Sequence, residues 1–190
     1  MVDKSNLQEK ARKIRKNIVE MVYQASSGHP GGSLSVADIL TALYFSELRI
    51  SDIKDENRDR FVLSKGHCSP ALYATLSARG FIAEEDLKTF RKTTSYLQGH
   101  PDMKKIPGVD MTSGSLGQGL SVANGMALAG KLDKKDYRVY CVLGDGEIEE
   151  GQVWEAAMTS SHYKLDNLCV IVDNNNLQID GKISDVMNPY

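Results

Sequence analysis

The chain lacks a surplus of basic residues, a long hydrophobic run and a paired-cysteine pattern. Its 23 lysines and arginines face 25 aspartates and glutamates, for a net charge of −2, which argues against nucleic acid or a membrane surface as the partner. No apolar stretch approaches the roughly 18 residues of a bilayer span, and the polar start MVDKSNLQEKARK has no secretory signal core. Three cysteines without a CxxC spacing predict reduced thiols, so we expect a cytoplasmic protein.

What the chain does contain suffices for one sizeable hydrophobic core, since 41% of its 190 residues are hydrophobic. Strand-like runs lie at 60–66, 137–143 and 167–173, and a helix pattern at 151–163 joins the last two. Nearly continuous apolar strands joined by helices predict an α/β fold with a parallel sheet covered on both faces. We expect a single domain over 1–190, incomplete at its C-terminus or completed by a partner.

Helix and loop signals precede the first strand. Apolar residues at steps of three and four predict a helix over 7–25. The glycines and proline of SGHPGGSLS predict a loop over 27–35. Ser35 followed by Asp38 is typical of a capping box, which would begin a helix that runs to about Leu48.

Two further helices are predicted later in the chain. Ser69 and Pro70 are typical of a cap and a first helical turn, and Gly80 of a helix end. The stretch SGSLGQGLSVANGMALAGKL, 113–132, is a helix pattern unusually rich in small residues. Its glycines cost helix stability, so we expect the backbone there to approach another element or a ligand closely.

Two polar turns follow the last two strands. Asp145 stands between Gly144 and Gly146, and the asparagines 174–176 follow VIVD. Ligands of open parallel sheets bind beyond the carboxyl ends of the strands, so these side chains should converge. A carboxylate with amide and carbonyl oxygens suits Mg²⁺ or Ca²⁺, and Gly146 at a helix start lets a backbone N–H approach an anion. Either turn alone is more simply structural, but the two together predict a metal–diphosphate site.

Three of the four histidines follow a glycine, namely His29, His67 and His100. Their flanks predict loops, and loop histidines can gather at the mouth of a sheet and act in proton transfer or hydrogen bonding. His162 lies late in a helix pattern and is interpreted as a surface residue.

Several acidic residues follow the GDG turn. Glu147 and Glu149 are explained by the dipole of the helix that begins there. Glu150 and Glu155 are five residues apart and need not share a helix face, so from spacing alone they are typical of a solvated helix.

Taken together, the motifs resemble those of the transketolase family. SGHPGGSLS, SKGHCSPALYA, LQGHPD, TSGSLGQGLSVANGMALA and GDGEIEEGQVWEAA followed by DNNNLQIDG match, in order, the diphosphate-binding domain of that family. The GDG and asparagine pair is common to thiamine diphosphate enzymes, whereas the histidine motifs are typical of transketolase. The resemblance covers essentially the whole chain and implies the thiamine diphosphate-binding fold.

The resemblance also implies a ligand set for Mg²⁺ and the diphosphate. Asp145 would bind Mg²⁺. Asn175 would be the second side-chain ligand, because the IDG motif that follows fixes which of the three asparagines matches the family's ligand. Leu177 would give its backbone carbonyl. Gly146 and His67 would contact the diphosphate. Leu177 stands where many relatives have isoleucine, a change that the site should tolerate.

Other residues take family roles by position. Those implied to line the cofactor are Gly114, Ser115 and Leu116, with Ser115 where many relatives have proline. His29 and His100 would hydrogen-bond sugar hydroxyls and assist proton transfer. Glu150 and Glu155 match acids at the interface between active sites, which replaces the solvated-helix interpretation.

The implied reaction moves a two-carbon ketol unit from a ketose phosphate to an aldose phosphate, as in the pentose phosphate pathway, with thiamine diphosphate and Mg²⁺ as cofactors. The family's pyrimidine-binding domain, its activating glutamate and a later histidine are absent from these 190 residues. We therefore expect the N-terminal subunit of a split transketolase, which is active in a homo- or hetero-oligomer with a C-terminal subunit that carries the pyrimidine-binding domain.

Three alternatives remain at this point. Another thiamine diphosphate enzyme, such as dihydroxyacetone synthase or 1-deoxyxylulose-5-phosphate synthase, would share the motifs. A Mg²⁺-dependent phosphohydrolase would use Asp145 and the glutamates, and would release phosphate without a partner. A non-catalytic assembly subunit would gain no activity from a pyrimidine-domain partner.

Overall fold

The computed structural model describes residues 3–179 and 181–188. The helices are α1 (Lys4–Ala25), α2 (Pro30–Ser35), α3 (Ala37–Ala42), α4 (Ser69–Ala78), α5 (Gln118–Leu132), α6 (Gly151–His162) and α7 (Ile183–Val186). The strands are β1 (Arg60–Leu63), β2 (Val139–Gly144), β3 (Leu168–Asp173), β4 (Leu177–Gln178) and β5 (Gly181–Lys182). Within these described ranges, none of the helices combines the length and the hydropathy that a membrane crossing needs.

Packing divides the chain into two compact units. The helical unit comprises the described residues of Met1–Asp55 together with His67–Thr112. The sheet unit comprises Glu56–Gly66 together with the described residues of Ser113–Tyr190. The assignment of the chain to a single domain stays a prediction.

The helical unit is built on α1, as the apolar periodicity predicts. The Asp3 carboxylate caps α1 by accepting the N–H of Ser5 at 3.0 Å. Ile14 and Ile18 are fully buried on the face that packs towards α4. Helix α4 is itself buried over nearly its whole length, which fits its largely apolar sequence.

Two predictions about the start of the chain are wrong. Residues 30–35 were expected in a loop but form α2, because a proline at the first helical position needs no N–H partner. Ser35 and Asp38 form no capping box: the N-cap of α3 is Val36 and makes no side-chain cap hydrogen bond. Asp38 pairs instead with Arg15 of α1, so a contact between helices replaces the local cap.

Two helix boundaries also differ from the prediction. The helix expected to reach Leu48 leaves α-geometry after Ala42 and continues as a π-helical turn, Leu43–Glu47. Ser69 does not cap α4, because the N-cap is Cys68 and the Ser69 hydroxyl donates to the carbonyl of Gly99 at 2.8 Å.

The sheet unit contains the predicted parallel sheet, in the order β1-β2-β3. Every residue of the central strand β2 is buried, and α6 connects β2 to β3 as expected. The fold class is therefore confirmed. Along β3, Val170 and Val172, which share one face, are 42% and 38% exposed.

Helix α5 begins at Gln118, five residues later than predicted, because Gly117 adopts a left-handed conformation with φ +81° and acts as the N-cap. The predicted close approach is found. A Cβ on Gly119 would lie 2.3 Å from Ser64 Oγ, and one on Gly130 would lie 2.9 Å from the Tyr137 ring. Gly125, on the same helix, has open space around it, so only some of the glycines serve packing.

This difference predicts opposite effects for two alanine substitutions in α5. Gly119→Ala should destabilise the protein by about 1–3 kcal/mol, because the new methyl group overlaps Ser64, which follows β1. Gly125→Ala should stabilise it by about 0.5–1 kcal/mol, because alanine restricts the unfolded chain and fits the helix. Urea unfolding of the two variants measures both values, and equal shifts would contradict the contact assigned to Gly119.

Candidate functional site

The two polar turns leave the sheet side by side. Gly144, the last residue of β2, is in register with Asp173, the last residue of β3. The Asp145 side chain is 2% exposed. Its Oδ2 accepts the backbone N–H of Asn176 at 2.7 Å, and its Oδ1 accepts that of Gly146 at 3.1 Å. The turns therefore converge as predicted, while their metal-binding role stays a prediction.

The asparagine turn is stabilised by one side-chain and one backbone hydrogen bond. Asn175 Oδ1 accepts the N–H of Leu177 at 2.9 Å. Asn176 has φ +62°, a left-handed conformation that asparagine tolerates better than most residues, and its carbonyl accepts the N–H of Ile183 at 3.0 Å. Asp180 of the IDG motif, from which the register of Asn175 is taken, lies outside the described residues.

The oxygen atoms at these turns fit a hard divalent cation. A carboxylate offers about four acceptor positions, and each Asp145 oxygen receives one backbone N–H. No group of three histidine, cysteine, aspartate or glutamate side chains in the described part of the chain could hold a metal. Amide and carbonyl oxygens of the asparagine turn lie beside Asp145, and Mg²⁺ commonly completes its coordination with phosphate oxygens.

A buried ion pair lies at the same end of the sheet and was not anticipated from the sequence. Lys65 follows β1, and its Nζ lies 2.6 Å from Oδ2 of Asp173. The two side chains are 2% and 6% exposed. The lysine passes the end of β2, where a Cβ on Gly144 would lie 3.6 Å from its Cδ. The pair thus connects the ends of the two outer strands.

Glu147 lies in the first turn of a short helical segment, as expected, but its carboxylate also has buried partners. It is 3% exposed. Its Oε1 accepts the Ser64 hydroxyl at 2.5 Å and the Gly117 N–H at 2.9 Å, and its Oε2 accepts the Gly144 N–H at 3.0 Å. Three donors from separate segments therefore surround the Glu147 carboxylate, which the helix-dipole interpretation does not predict.

The segment expected to line the cofactor precedes α5. Gly114, Ser115 and Leu116 are exposed. Ser113 is 7% exposed and its hydroxyl has no hydrogen-bond partner among the described residues. A Cβ on Gly66 would lie 2.6 Å from that hydroxyl. The buried Ser113 hydroxyl without a partner, beside the exposed residues 114–116, fits a segment that binds a polar ligand.

The two acids matched to the interface between active sites lie at the start of α6. Glu150 is its N-cap residue, and Glu155 is one turn further along the helix. Both are exposed. Their interface role stays a prediction.

The histidines of the helical unit form a cluster. The rings of His29 and His67 pack edge to face with centroids 5.2 Å apart. Arg91 Nη1 donates to Ser27 Oγ at 2.8 Å, which fixes the loop before His29. Partial burial lowers the pKa of His100, with smaller contributions from the positive charge of Arg91 and from His29. The surroundings of His100 therefore favour the neutral form of its ring.

This shift predicts how stability depends on pH. The folded-state pKa of His100 is below its ordinary value of about 6.5, so the unfolded chain binds this proton at higher pH than the folded chain does. The contribution of His100 is fully present above pH of about 6.5 and is lost as the pH falls through the folded pKa. Urea unfolding from pH 7.5 to 5 should show a smaller loss for His100→Asn than for the wild type. An NMR titration that places the His100 pKa at or above 6.5 would refute the prediction.

Lys65 and Glu147 are the site residues that sequence reasoning missed. A lysine between an apolar strand and a glycine, in VLSKG, and an acid directly after GDG were the available signals. Neither signal identifies a partner, because the contacts span 108 residues for Lys65 and Asp173 and 83 for Ser64 and Glu147.

Comparison with known proteins agrees with the motifs. Residues 7–189 match the family described as "Transketolase, thiamine diphosphate binding domain". An apulose-4-phosphate transketolase subunit of Phocaeicola vulgatus is 50% identical over 184 residues, covering 96% of this chain and 65% of that protein. The 6-deoxy-6-sulfo-D-fructose transketolase subunit SqwG of Clostridium sp. is 46% identical over 186 residues, covering 97% and 67%.

A solved structure gives the same result. The transketolase of Campylobacter jejuni superposes with a TM-score of 0.89 at 38% identity, over 98% of this chain and 31% of that chain. The chain thus spans about two thirds of the length of the subunit relatives and about a third of the longer enzyme.

Proposed function

Because this chain belongs to the transketolase family, through its thiamine diphosphate-binding domain, we propose that it is the diphosphate-binding subunit of a two-subunit transketolase. The enzyme would transfer a two-carbon ketol unit from a ketose phosphate to an aldose phosphate. The observation that carries the proposal is the 2.7 Å hydrogen bond between the Asp145 carboxylate and the Asn176 backbone, because it joins the two turns that would share the cation.

The proposed metal site uses oxygen atoms of both turns. Asp145, Asn175 and the carbonyl of Leu177 would hold Mg²⁺, and the diphosphate would complete its coordination. Gly146, five residues before α6 begins at Gly151, would contact the diphosphate through its backbone. Gly114, Ser115 and Leu116 would lie along the cofactor.

When bound, thiamine diphosphate supplies the carbon nucleophile that cleaves the ketose. The chain's own contribution is to bind, orient and handle protons. His29 and His100 would hydrogen-bond sugar hydroxyls, and the lowered pKa of His100 keeps its ring able to accept a proton at neutral pH. His67 would contact the diphosphate.

A partner protein is part of the proposal. Both bacterial relatives are named as subunits of a transketolase, and the chain covers 65% and 67% of them. The partner would be a C-terminal transketolase subunit with the pyrimidine-binding domain and the glutamate that activates the cofactor. Glu150 and Glu155 would face the interface between active sites.

The sugar substrate is best determined by assay. The two subunit relatives are named for different sugars, apulose-4-phosphate and 6-deoxy-6-sulfo-D-fructose. A panel of ketose donors should therefore include phosphorylated and sulfonated sugars, with several aldose phosphates as acceptors.

The decisive experiment mixes the chain with a candidate C-terminal subunit, Mg²⁺ and thiamine diphosphate, and follows two-carbon transfer. The expected result is activity that needs both subunits, the metal and the cofactor. The readout is formation of the aldose two carbons shorter than the donor, which is glyceraldehyde-3-phosphate for a five-carbon ketose phosphate. Each component omitted in turn is the control. Phosphate release by the chain alone would favour the phosphohydrolase, and cofactor binding without transfer to any acceptor would favour an assembly role.

A further inference from the structure

Glu147 lies where three segments of the sheet unit meet. Ser64 follows β1, Gly117 precedes α5, and Gly144 ends β2. The Glu147 carboxylate accepts one hydrogen bond from each of them and is 3% exposed. A carboxylate that receives three donors is satisfied although it is buried. Its negative charge is therefore compensated locally rather than by solvent.

Two of these donors flank residues that the proposed function assigns to ligands. Gly144 immediately precedes Asp145, the proposed metal ligand, and its N–H donates to Oε2. Gly117 immediately follows Gly114, Ser115 and Leu116, the proposed cofactor lining, and its N–H donates to Oε1. One side chain thus determines the separation of two binding segments that lie about 30 residues apart in the sequence.

We infer that Glu147 is a positioning residue that holds segment 114–117 in register with the turn that carries Asp145. That Glu147 holds these two segments together rests on the hydrogen bonds alone. That this arrangement supports cofactor binding rests on the proposed function. Glu147 touches neither ligand in this scheme. It acts by fixing the distance between the groups that do.

Glu147→Gln separates this role from a simple charge effect. Glutamine has nearly the same shape but offers one acceptor oxygen and an NH₂ group. Either the Gly117 N–H or the Gly144 N–H therefore loses its partner. Removal of a negative charge two residues from Asp145 would by itself strengthen the binding of an anionic diphosphate. A positioning role for Glu147 predicts the opposite effect, namely weaker binding of the diphosphate.

Hydrogen exchange tests, without any ligand, whether Glu147 holds the two segments together. In the folded chain, Glu147→Gln should raise amide exchange at least tenfold in 114–118 and 144–147, and should leave the remaining peptides of the sheet unit unchanged. Ser64→Ala removes one donor and should give a smaller rise confined to the same segments. Glu9→Gln, on the exposed face of α1, is the matched control. Unchanged exchange, or a rise spread over the whole sheet unit, would overturn the inference.

A titration with Mg²⁺ and thiamine diphosphate tests the consequence. Trp154 is the single tryptophan, and its Nε1 donates to the carbonyl of Ile148, next to Glu147, at 2.9 Å. In the complex with the C-terminal subunit, the fluorescence of Trp154 should report cofactor binding. Glu147→Gln should need at least tenfold more cofactor, while wild type and Glu9→Gln agree. Equal affinity in Glu147→Gln overturns the inference. A wild type that binds no cofactor overturns the proposed function, and the exchange comparison then decides on Glu147.

Discussion

Asp145→Asn should lose Mg²⁺-dependent binding of thiamine diphosphate by at least 100-fold, about 2.7 kcal/mol. The substitution removes the anionic ligand of the proposed site. It also replaces one carboxylate oxygen by an NH₂ group that faces the N–H of Asn176 or Gly146, both of which donate to Asp145 at 2.7 and 3.1 Å. The two turns should therefore separate as well as lose charge.

The measurement is a cofactor titration of variant and wild type at fixed Mg²⁺, with the C-terminal subunit present. Asp133→Asn, an exposed residue at the end of α5 in the same unit, makes the same chemical change away from the turns and should bind like the wild type. If Asp145→Asn retains cofactor with wild-type affinity, the metal site is elsewhere.

Lys65→Met should destabilise the protein by about 3–5 kcal/mol, because it removes the cation that lies beside the buried Asp173 carboxylate. The pair is 2.6 Å apart, and its side chains are only 2% and 6% exposed. Solvent can therefore neither screen the remaining charge nor replace the lost hydrogen bond.

Urea unfolding of Lys65→Met, Asp173→Asn and the double variant measures the effect and the coupling. The double variant should recover much of the loss, because it removes both buried charges. Lys131→Met breaks the more exposed pair with Asp166 and should cost far less, because solvent screens that pair. A Lys65→Met variant as stable as Lys131→Met would contradict the importance assigned to burial.

Local patterns predicted the elements whose formation depends on neighbours in sequence. The 3–4 spacing of apolar residues gave α1, and the apolar runs gave the three parallel strands with a helix between the last two. Local patterns failed where a distant group competed for a side chain. Arg15 takes Asp38 from the expected capping box, and Gly99 takes the Ser69 hydroxyl.

The sequence by itself determined the fold class, the polar residues at the strand ends and the family, because each follows from the order of residue types along short segments. Only the tertiary structure decided that Lys65 is buried against Asp173, that Glu147 receives donors from three segments and that one face of β3 is exposed. Burial and pairing depend on which distant segments fold together, so Glu147 is buried whereas Glu150, three residues later, is exposed.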